Sequence, residues 1–162
     1  MAKQTLLIVL GGGGHTEQML NLIDMLGKKY NYEYVVGDSD VLSQKRIRLP
    51  GKIFKLSNPR TMQDKNSLIV ILKLVPYTLE AKYTLFKSHA SAMVICGPAI
   101  SVPIAFLGKL FFRKKLIFIE SWSRVKSKSL SGKLIGWLSD IVFVQWKENK
   151  NYRNSIYAGR LG

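Results

Sequence analysis

The fold is decided near the start of the chain by the stretch Leu6-Leu7-Ile8-Val9-Leu10-Gly11-Gly12-Gly13-Gly14-His15-Thr16-Glu17-Gln18-Met19-Leu20. Its five leading apolar residues predict a strand buried on both faces, and apolar residues at helical spacing follow the four glycines. Glycine lets the backbone adopt positive φ and approach a ligand closely. A helix that begins directly after such a loop presents free N–H groups and a partial positive charge, which attract phosphate. The stretch therefore predicts a strand, a phosphate-binding loop and a helix, with His15 beside the loop.

Apolar segments of strand length alternate with segments of helical periodicity through the rest of the chain. This alternation is typical of an α/β fold, so we expect a Rossmann-like parallel sheet with helices on both faces. Because the sequence contains no linker, repeat or low-complexity segment, we expect a single domain over residues 1–162. Further strands are predicted at residues 32–36, 52–56, 92–96, 116–119, 141–144 and 155–158, and further helices at 41–48, 66–87, 100–112 and 130–138.

Four polar or glycine-containing segments directly follow predicted strands, at residues 11–15, 37–40, 97–99 and 120–124. The carboxyl ends of parallel strands lie at one edge of the sheet, and ligands of such folds bind outside that edge. We therefore expect these four loops to come together around one ligand.

The charge balance points to an anionic partner. Lysine and arginine number 25 against 10 acidic residues, a formal net charge of +15. Nucleic acid is disfavoured, because no basic helix with interleaved exposed aromatic residues is found. The single cysteine, Cys96, excludes an internal disulfide, and no spacing of His, Cys or carboxylates indicates a metal site or another cofactor. No leader peptide or spanning segment is apparent, so we expect a soluble protein or one attached to a membrane surface.

The glycine loop is a poor match to the known nucleotide-binding fingerprints. Gly11 and Gly13 fit the first two glycines of the dinucleotide pattern, but Thr16 occupies the third place and Asp38 comes late for a ribose partner. No Gly-Lys-Ser/Thr follows, which argues against a Walker loop. Two interpretations stay open, a diphosphate-binding loop and a merely tight turn.

His15 and Glu120 are the candidate catalytic side chains. A histidine beside the loop is able to act as a base or to contact phosphate, and it is equally able to cap or pack against the helix. Glu120 ends a buried strand, where a carboxylate serves as a base, holds sugar hydroxyls or pairs with Arg124. Trp122 either stacks on a sugar or covers the core. Gly97-Pro98 forms a second strand-to-helix turn and a second candidate anion site.

The first half of the helix predicted at 66–87 is apolar on nearly every face. Such a segment is either a covered core helix or one that inserts into a bilayer surface. Nearby lysines favour contact with anionic headgroups. The predicted membrane-contact residues are Leu68, Ile69, Ile71, Leu72, Lys73 and Val75.

Several segments together resemble a known family. The resemblance is carried by Gly11-Gly12-Gly13-Gly14-His15-Thr16 with Met19-Leu20, Cys96-Gly97-Pro98, Glu120-Ser121-Trp122-Ser123-Arg124-Val125-Lys126-Ser127 followed by Leu130-Ser131-Gly132-Lys133-Leu134, Val144-Gln145-Trp146 and Tyr157-Ala158-Gly159-Arg160-Leu161. These segments resemble the acceptor-side subunit of the two-component dolichol-linked N-acetylglucosaminyltransferase. They are equally similar to its bacterial relatives, the capsular galactosyltransferase enhancer and exopolysaccharide glucuronosyltransferase subunits.

The resemblance implies the detached N-terminal half of a GT-B glycosyltransferase, which binds a polyprenyl-diphosphate-linked acceptor and recruits a donor-binding subunit to the cytoplasmic face of the membrane. That partner would bind the UDP-sugar, and transfer would be inverting. His15 and Glu120 would lie near the reacting hydroxyl. The acceptor diphosphate would be held by Gly11, Gly12, Gly13, Gly14, Thr16, Gly97, Pro98, Ser121 and Arg124, and the partner would dock on Tyr157, Arg160 and Leu161.

Two departures from the family qualify this expectation. Its eukaryotic members begin with a membrane anchor that is not seen here, so attachment would come from an amphipathic surface or from the partner. The tail carries a single apolar Leu161 near its end, which implies a weaker grip on the partner. Two other functions remain open: a non-catalytic scaffold that tethers and activates its partner, and a stand-alone nucleotide-binding protein.

Overall fold

The structure, a computed structural model, describes residues 3–57, 67–97, 101–149 and 152–161; for residues 67–74 and Leu130 it describes the backbone alone. The strands are β1 (Thr5–Val9), β2 (Asn31–Gly37), β3 (Gly51–Leu56), β4 (Ala92–Cys96), β5 (Lys115–Ile119), β6 (Ile141–Val144) and β7 (Ser155–Tyr157). The helices are α1 (Gly13–Leu26), α2 (Val41–Lys45), α3 (Ser67–Lys87), α4 (Ser101–Leu110) and α5 (Leu130–Leu138).

All seven strands of the described chain pair in parallel, in the order β3-β2-β1-β4-β5-β6-β7. The predicted parallel α/β sheet is therefore confirmed. From β1 the chain moves outward through β2 to β3 and then returns to place β4 on the other side of β1. Such a reversal opens a crevice beyond the carboxyl ends of the two central strands. The loops that follow β1 and β4 flank this crevice, and the loop that follows β5, the neighbour of β4, reaches α1 through the hydrogen bond from the Trp122 amide to Gln18.

Both faces of β1 are buried, which explains its unbroken apolar sequence. Leu7 and Val9 belong to the core that β1 shares with α3, α4 and α5. Leu6 and Ile8 face the opposite core, which contains the apolar residues of α1. Because each core fixes one face of the central strands, the edge that carries the loops is held rigidly.

The sequence predicted several element ends one to three residues too far. The second helix ends at Lys45 rather than 48, and Ile47 and Leu49 pack against the α1-side core beyond it. Its start is set by Asp40, whose carboxylate accepts a hydrogen bond from the Ser43 amide at 3.0 Å. The last strand ends at Tyr157.

None of the helices within the described ranges is long and apolar enough to cross a bilayer.

Candidate functional site

The glycine loop joins β1 to α1 with two residues in the left-handed region. Gly12 has φ +78° and Gly13 has φ +56°, conformations that L side chains rarely adopt. The Gly12 amide donates to Thr16 Oγ1 at 3.0 Å, and no side chain caps the first turn of α1. The amides that open α1 therefore have no capping side chain at the N-cap position, which suits an anionic ligand.

Thr16 holds the glycine loop from inside. It is buried, and its hydroxyl lies between the Gly12 amide and Ser43 Oγ, which is 2.9 Å away. Thr16 thereby ties the loop to α2. Its predicted contact with the acceptor diphosphate stays a prediction, and this geometry favours an indirect role.

His15 packs across the crevice against the end of β4. Its Nδ1 lies 3.7 Å from Cys96 Sγ, and a Cβ at Gly97 would overlap the imidazole ring. Gly97, with φ +91°, is therefore required both by its backbone conformation and by the space that His15 occupies. Pro98, the second residue of the candidate anion site at Gly97-Pro98, lies outside the described residues.

Burial lowers the pKa of His15 below its ordinary value. The negative charge of Glu120 raises this pKa and the positive charge of Arg124 lowers it, each by less than burial does. The imidazole is therefore neutral at pH 7, the form that accepts a proton. Burial raises the pKa of the Cys96 thiol to about 12, so the sulfur beside His15 keeps its hydrogen.

Glu120 is completely buried at the carboxyl end of β5. Its carboxylate accepts hydrogen bonds from the Ser121 amide at 3.0 Å, from the Ser129 amide at 3.1 Å and from Ser129 Oγ at 2.9 Å. The hydroxyl of Tyr152 donates to it as well, and burial together with this bond raises the pKa of Tyr152. Within the described chain Glu120 makes no ion pair with Arg124, so that alternative is wrong. The carboxylate closes the loop between β5 and α5.

The rest of this loop is partly open to solvent. Ser121 is buried and its Oγ lies 3.0 Å from Ser123 Oγ. Arg124 is exposed, and its amide donates to the Ser121 carbonyl at 2.9 Å, which forms a tight turn. Trp122 is 49% exposed. Arg124 and Trp122 are thus exposed to solvent, as are Val125, Lys126 and Ser127 that follow them.

Sequence reasoning missed two buried glutamines that join these loops. Gln145 Nε2 donates to Gln18 Oε1 at 2.6 Å, and Gln18 Oε1 also accepts from the Trp122 amide at 3.0 Å. One signal was available: Gln145 directly follows β6, and therefore lies at the same edge of the sheet.

The predicted membrane-contact residues fall mostly outside what is described. The side chains of Leu68, Ile69, Ile71, Leu72 and Lys73 lie outside the described residues, whereas Val75 is 61% exposed. On α3, Leu79, Tyr83 and Phe86 line one groove together with Phe112. The structure thereby adds large exposed apolar side chains that the sequence did not single out, which are Leu79, Tyr83 and Phe86 on α3 and Leu110 and Phe111 at the end of α4. We call these five residues the apolar helix face.

The predicted docking tail lies against the domain itself. The guanidinium of Arg160 stacks over the Trp146 ring at 4.4 Å. Leu161 packs against the α1-side core, and its carbonyl accepts a hydrogen bond from Asn21 Nδ2 at 2.8 Å. Lys147 lies over the ring of Tyr157 at 5.6 Å. The tail is thereby held next to the loops of the crevice.

The sheet order and the crevice at its switch point define a Rossmann-like α/β domain, and the solved structures that superpose on the chain show the fold of one domain of a GT-B glycosyltransferase. Acinetobacter baumannii MurG superposes with TM-score 0.76 at 11% identity, over 98% of this chain and 45% of that one. A UDP-N-acetylglucosamine 2-epimerase from Rickettsia bellii superposes with TM-score 0.73 at 13% identity, over 99% and 46%. At such identities the likeness concerns the fold alone, and the chain spans about half the length of these structures.

The sequence identifies the family. The family described as "Oligosaccharide biosynthesis protein Alg14 like" matches residues 6–161. The mouse protein named "UDP-N-acetylglucosamine transferase subunit ALG14" is 33% identical over 96% of this chain and 82% of its own length. Its namesake from Schizosaccharomyces pombe is 35% identical over 97% and 83%. The chain belongs to the Alg14-like family, and the resemblance seen in the sequence is confirmed.

Proposed function

We propose that this chain is the acceptor-binding and membrane-recruiting subunit of a two-component glycosyltransferase at the cytoplasmic face of a membrane. The enzyme would transfer a sugar from a UDP-sugar to a polyprenyl-diphosphate-linked saccharide in oligosaccharide or polysaccharide biosynthesis. One observation carries the proposal: the glycine loop, His15 and the Arg124 loop meet at one crevice in a chain with the fold of a single GT-B domain. The mouse and Schizosaccharomyces pombe relatives are named as transferase subunits, which agrees with an enzyme divided between two chains.

The acceptor diphosphate would bind at the start of α1. The uncapped amides beside Gly13 and Gly14 supply donors and the positive end of the helix dipole. Arg124 adds an exposed cation from the facing loop. Gly11, Gly12, Gly97, Pro98 and Ser121 would line the same site, while Thr16 would fix the shape of the loop from within.

His15 would act as the general base. The neutral imidazole takes the proton of the acceptor hydroxyl while that oxygen bonds to the anomeric carbon of the UDP-sugar, and UDP leaves with the electron pair of the broken C–O bond. If Nε2 is the accepting atom, Nδ1 carries a hydrogen directed at Cys96 Sγ, which lies 3.7 Å away. Glu120, buried and with its hydrogen-bond capacity used, would position the facing loop rather than exchange protons.

The subunit division is tested by reconstitution with the donor-binding partner. We expect sugar transfer from the pair and none from either chain alone, because one GT-B domain lacks the facing half of the cleft. Robust transfer by the purified chain would overturn the proposal. Calorimetric titration with UDP or NAD serves as the control for a stand-alone nucleotide-binding protein, for which tight binding by the isolated chain would be found.

A scaffold without catalytic residues is the second candidate function. It is favoured by Glu120, whose hydrogen-bond capacity is filled by the protein itself, as expected of a structural residue. Substitution of His15 separates the two functions. If His15→Gln leaves the transfer rate of the reconstituted pair unchanged, the chain only tethers its partner. If the rate falls while the pair stays assembled, the chain supplies part of the active site.

Membrane recruitment would use the apolar helix face. Its exposed apolar side chains on α3 are bordered by the basic residues Lys82 and Lys87, a combination that suits anionic headgroups. Flotation with phosphatidylglycerol vesicles and with phosphatidylcholine vesicles tests this surface.

We expect binding to the anionic vesicles and its loss in the double variant Phe86→Ser, Phe111→Ser. Met25→Ser is the matched control, since Met25 is 76% exposed but lies on α1, across the sheet from the apolar helix face. Equal losses in both variants would exclude a specific membrane surface. Undiminished flotation of the double variant would do the same.

A further inference from the structure

Two buried glutamines connect the C-terminal tail to both loops of the crevice. Gln18 lies on α1, Gln145 follows β6, and each residue is only 3% exposed. We call the pair the glutamine bridge. Buried amides need all their hydrogen-bond partners, so their surroundings show what they hold in place.

One side of the bridge is the tail. The Leu161 amide donates to Gln145 Oε1 at 2.9 Å. Gln145 Nε2 in turn donates to Gln18 Oε1 at 2.6 Å and to the Glu120 carbonyl at 3.0 Å. The amide of Gln145 thus accepts from the tail and donates toward the loop that follows β5.

The other side of the bridge is the crevice. Gln18 Oε1 accepts from the Trp122 amide at 3.0 Å, and Gln18 Nε2 donates to the Gly14 carbonyl at 3.1 Å. A flip of either amide would place donor against donor and acceptor against acceptor. Both glutamines therefore have one orientation, in which the loop after β5 and the start of α1 are held together.

A second contact runs beside the bridge. Trp146 Nε1 donates to the Trp122 carbonyl at 2.5 Å, and Arg160 of the tail stacks on the same indole. The Trp122 carbonyl is therefore held by a residue that contacts the tail directly, whereas the Trp122 amide is held by Gln18, which is linked to the tail through Gln145. No such pair of links is needed to close the loop itself, because Glu120 already does so.

We propose that the glutamine bridge positions the two loops of the crevice according to how the tail is held, so that docking of a partner on the tail tightens acceptor binding at a site that the isolated chain already forms. The inference rests on the proposed function, which makes the tail the docking site of the partner and the two loops the binding site of the acceptor. The bridge itself rests on the hydrogen bonds. A buried amide network loses most of its value when one member is missing, since the remaining groups are left unpaired.

Amide hydrogen exchange in the isolated chain tests the bridge directly. Leu161→Pro removes the amide that donates to Gln145 and keeps an apolar side chain. We expect exchange at the Trp122 amide to accelerate about ten-fold, the effect of one lost hydrogen bond in such a network. Leu161→Ala is the matched control, because it trims the side chain and keeps the amide, and exchange at Trp122 should change less than about three-fold.

Kinetics of the reconstituted pair then test what the bridge is for. Gln145→Met removes the bridge amide with a side chain of similar length, and Glu17→Gln, which alters an exposed residue of α1, is the control. We expect Gln145→Met to raise the KM for acceptor about ten-fold at saturating partner, and Glu17→Gln to leave it unchanged.

A merely structural role for Gln145 would lower the amount of folded protein without moving the KM. Unchanged exchange at Trp122 in Leu161→Pro overturns the bridge. If exchange at Trp122 accelerates in Leu161→Pro but the KM for acceptor is unchanged in Gln145→Met, the bridge is supported and the proposal that these loops bind the acceptor is contradicted.

Discussion

The two loops that face each other across the crevice use their polar groups in opposite ways. The glycine loop after β1 leaves the first amides of α1 without a capping side chain. In the loop after β5, two amides and the Ser129 hydroxyl donate to the carboxylate of Glu120, and Tyr152 adds a second hydroxyl from beyond β6. The first loop keeps binding capacity free, and the second uses its capacity to fix its own shape. Similar sequence positions, each directly after a central strand, thus serve different tasks.

Loss of the carboxylate should have the largest effect, because it opens the closed loop. Glu120→Ala leaves several buried donors unpaired, each at a cost of about 1–3 kcal/mol, so we expect the free energy of unfolding to fall by at least about 3 kcal/mol. Urea unfolding monitored by circular dichroism measures it. Glu17→Gln, a change at an exposed ion pair with Arg46, should cost less than about 1 kcal/mol. A comparably small loss for Glu120→Ala would refute the structural role of Glu120.

His15→Gln should change activity rather than stability. We expect kcat of the reconstituted pair to fall about 100-fold, the usual contribution of a general base, with little change in the urea midpoint. A fall in stability with unchanged kcat would show instead that His15 only packs against Gly97.

The pH dependence follows from the same residue. Burial lowers the pKa of His15, so the neutral base is present at pH 7 and is lost only as the pH falls below 6.5 through the lowered value. We expect kcat/KM to decline in that acidic range for the wild type. The residual activity of His15→Gln should lack this limb, and an identical acidic limb in both would assign the titration to another group.

The space under His15 is tested with two glycines of matched conformation. Gly97 and Gly159 have φ of +91° and +92°, but only at Gly97 would a Cβ overlap the imidazole. Both alanine variants carry the backbone strain of about 1–3 kcal/mol, and Gly97→Ala should lose additional stability and displace His15. Equal unfolding free energies for the two variants would show that the ring moves aside without cost.

The smallest expected effect lies in the open loop. Gly14 is helical and a Cβ there would meet nothing within 4 Å, whereas Gly13 has φ +56°. We expect Gly14→Ala to raise the free energy of unfolding by about 0.5–1 kcal/mol and Gly13→Ala to lower it. Thermal unfolding of both variants measures this. Destabilisation by Gly14→Ala would mean that the loop is more tightly packed than its open surroundings indicate.

The contrast between the loops also separates what the sequence could predict from what it could not. The buried strands, their parallel order and the meeting of four loops at one edge follow from periodicity and the geometry of parallel sheets. The proximity of His15 and Gly97 follows from this topology as well. Local patterns were sufficient because they identify each strand and the loop after it, and the geometry of a parallel sheet then brings the loops to one edge.

The roles of polar side chains depended on distant partners. Whether Glu120 faces a ligand or the interior is decided by Ser129 and Tyr152, which no spacing rule connects to it. The glutamine bridge joins residues 18 and 145 across the crevice, and although Gln145 lies in a segment that carries the family resemblance, no sequence pattern connects it to Gln18. The pairing of Glu120 with Arg124 was a reasonable alternative by sequence distance, and it fails because the carboxylate points into the core.

Equilibrium binding of the acceptor by the isolated chain tests the central claim most directly. The ligand is a short-chain prenyl-diphosphate-linked sugar, titrated calorimetrically beside the corresponding UDP-sugar, with Arg124→Ala as the variant of the exposed cation. We expect the wild-type chain to bind the prenyl-diphosphate sugar without its partner, to bind it more weakly after Arg124→Ala, and not to bind the UDP-sugar. Binding of the UDP-sugar, or of neither ligand, would contradict an acceptor site at this crevice.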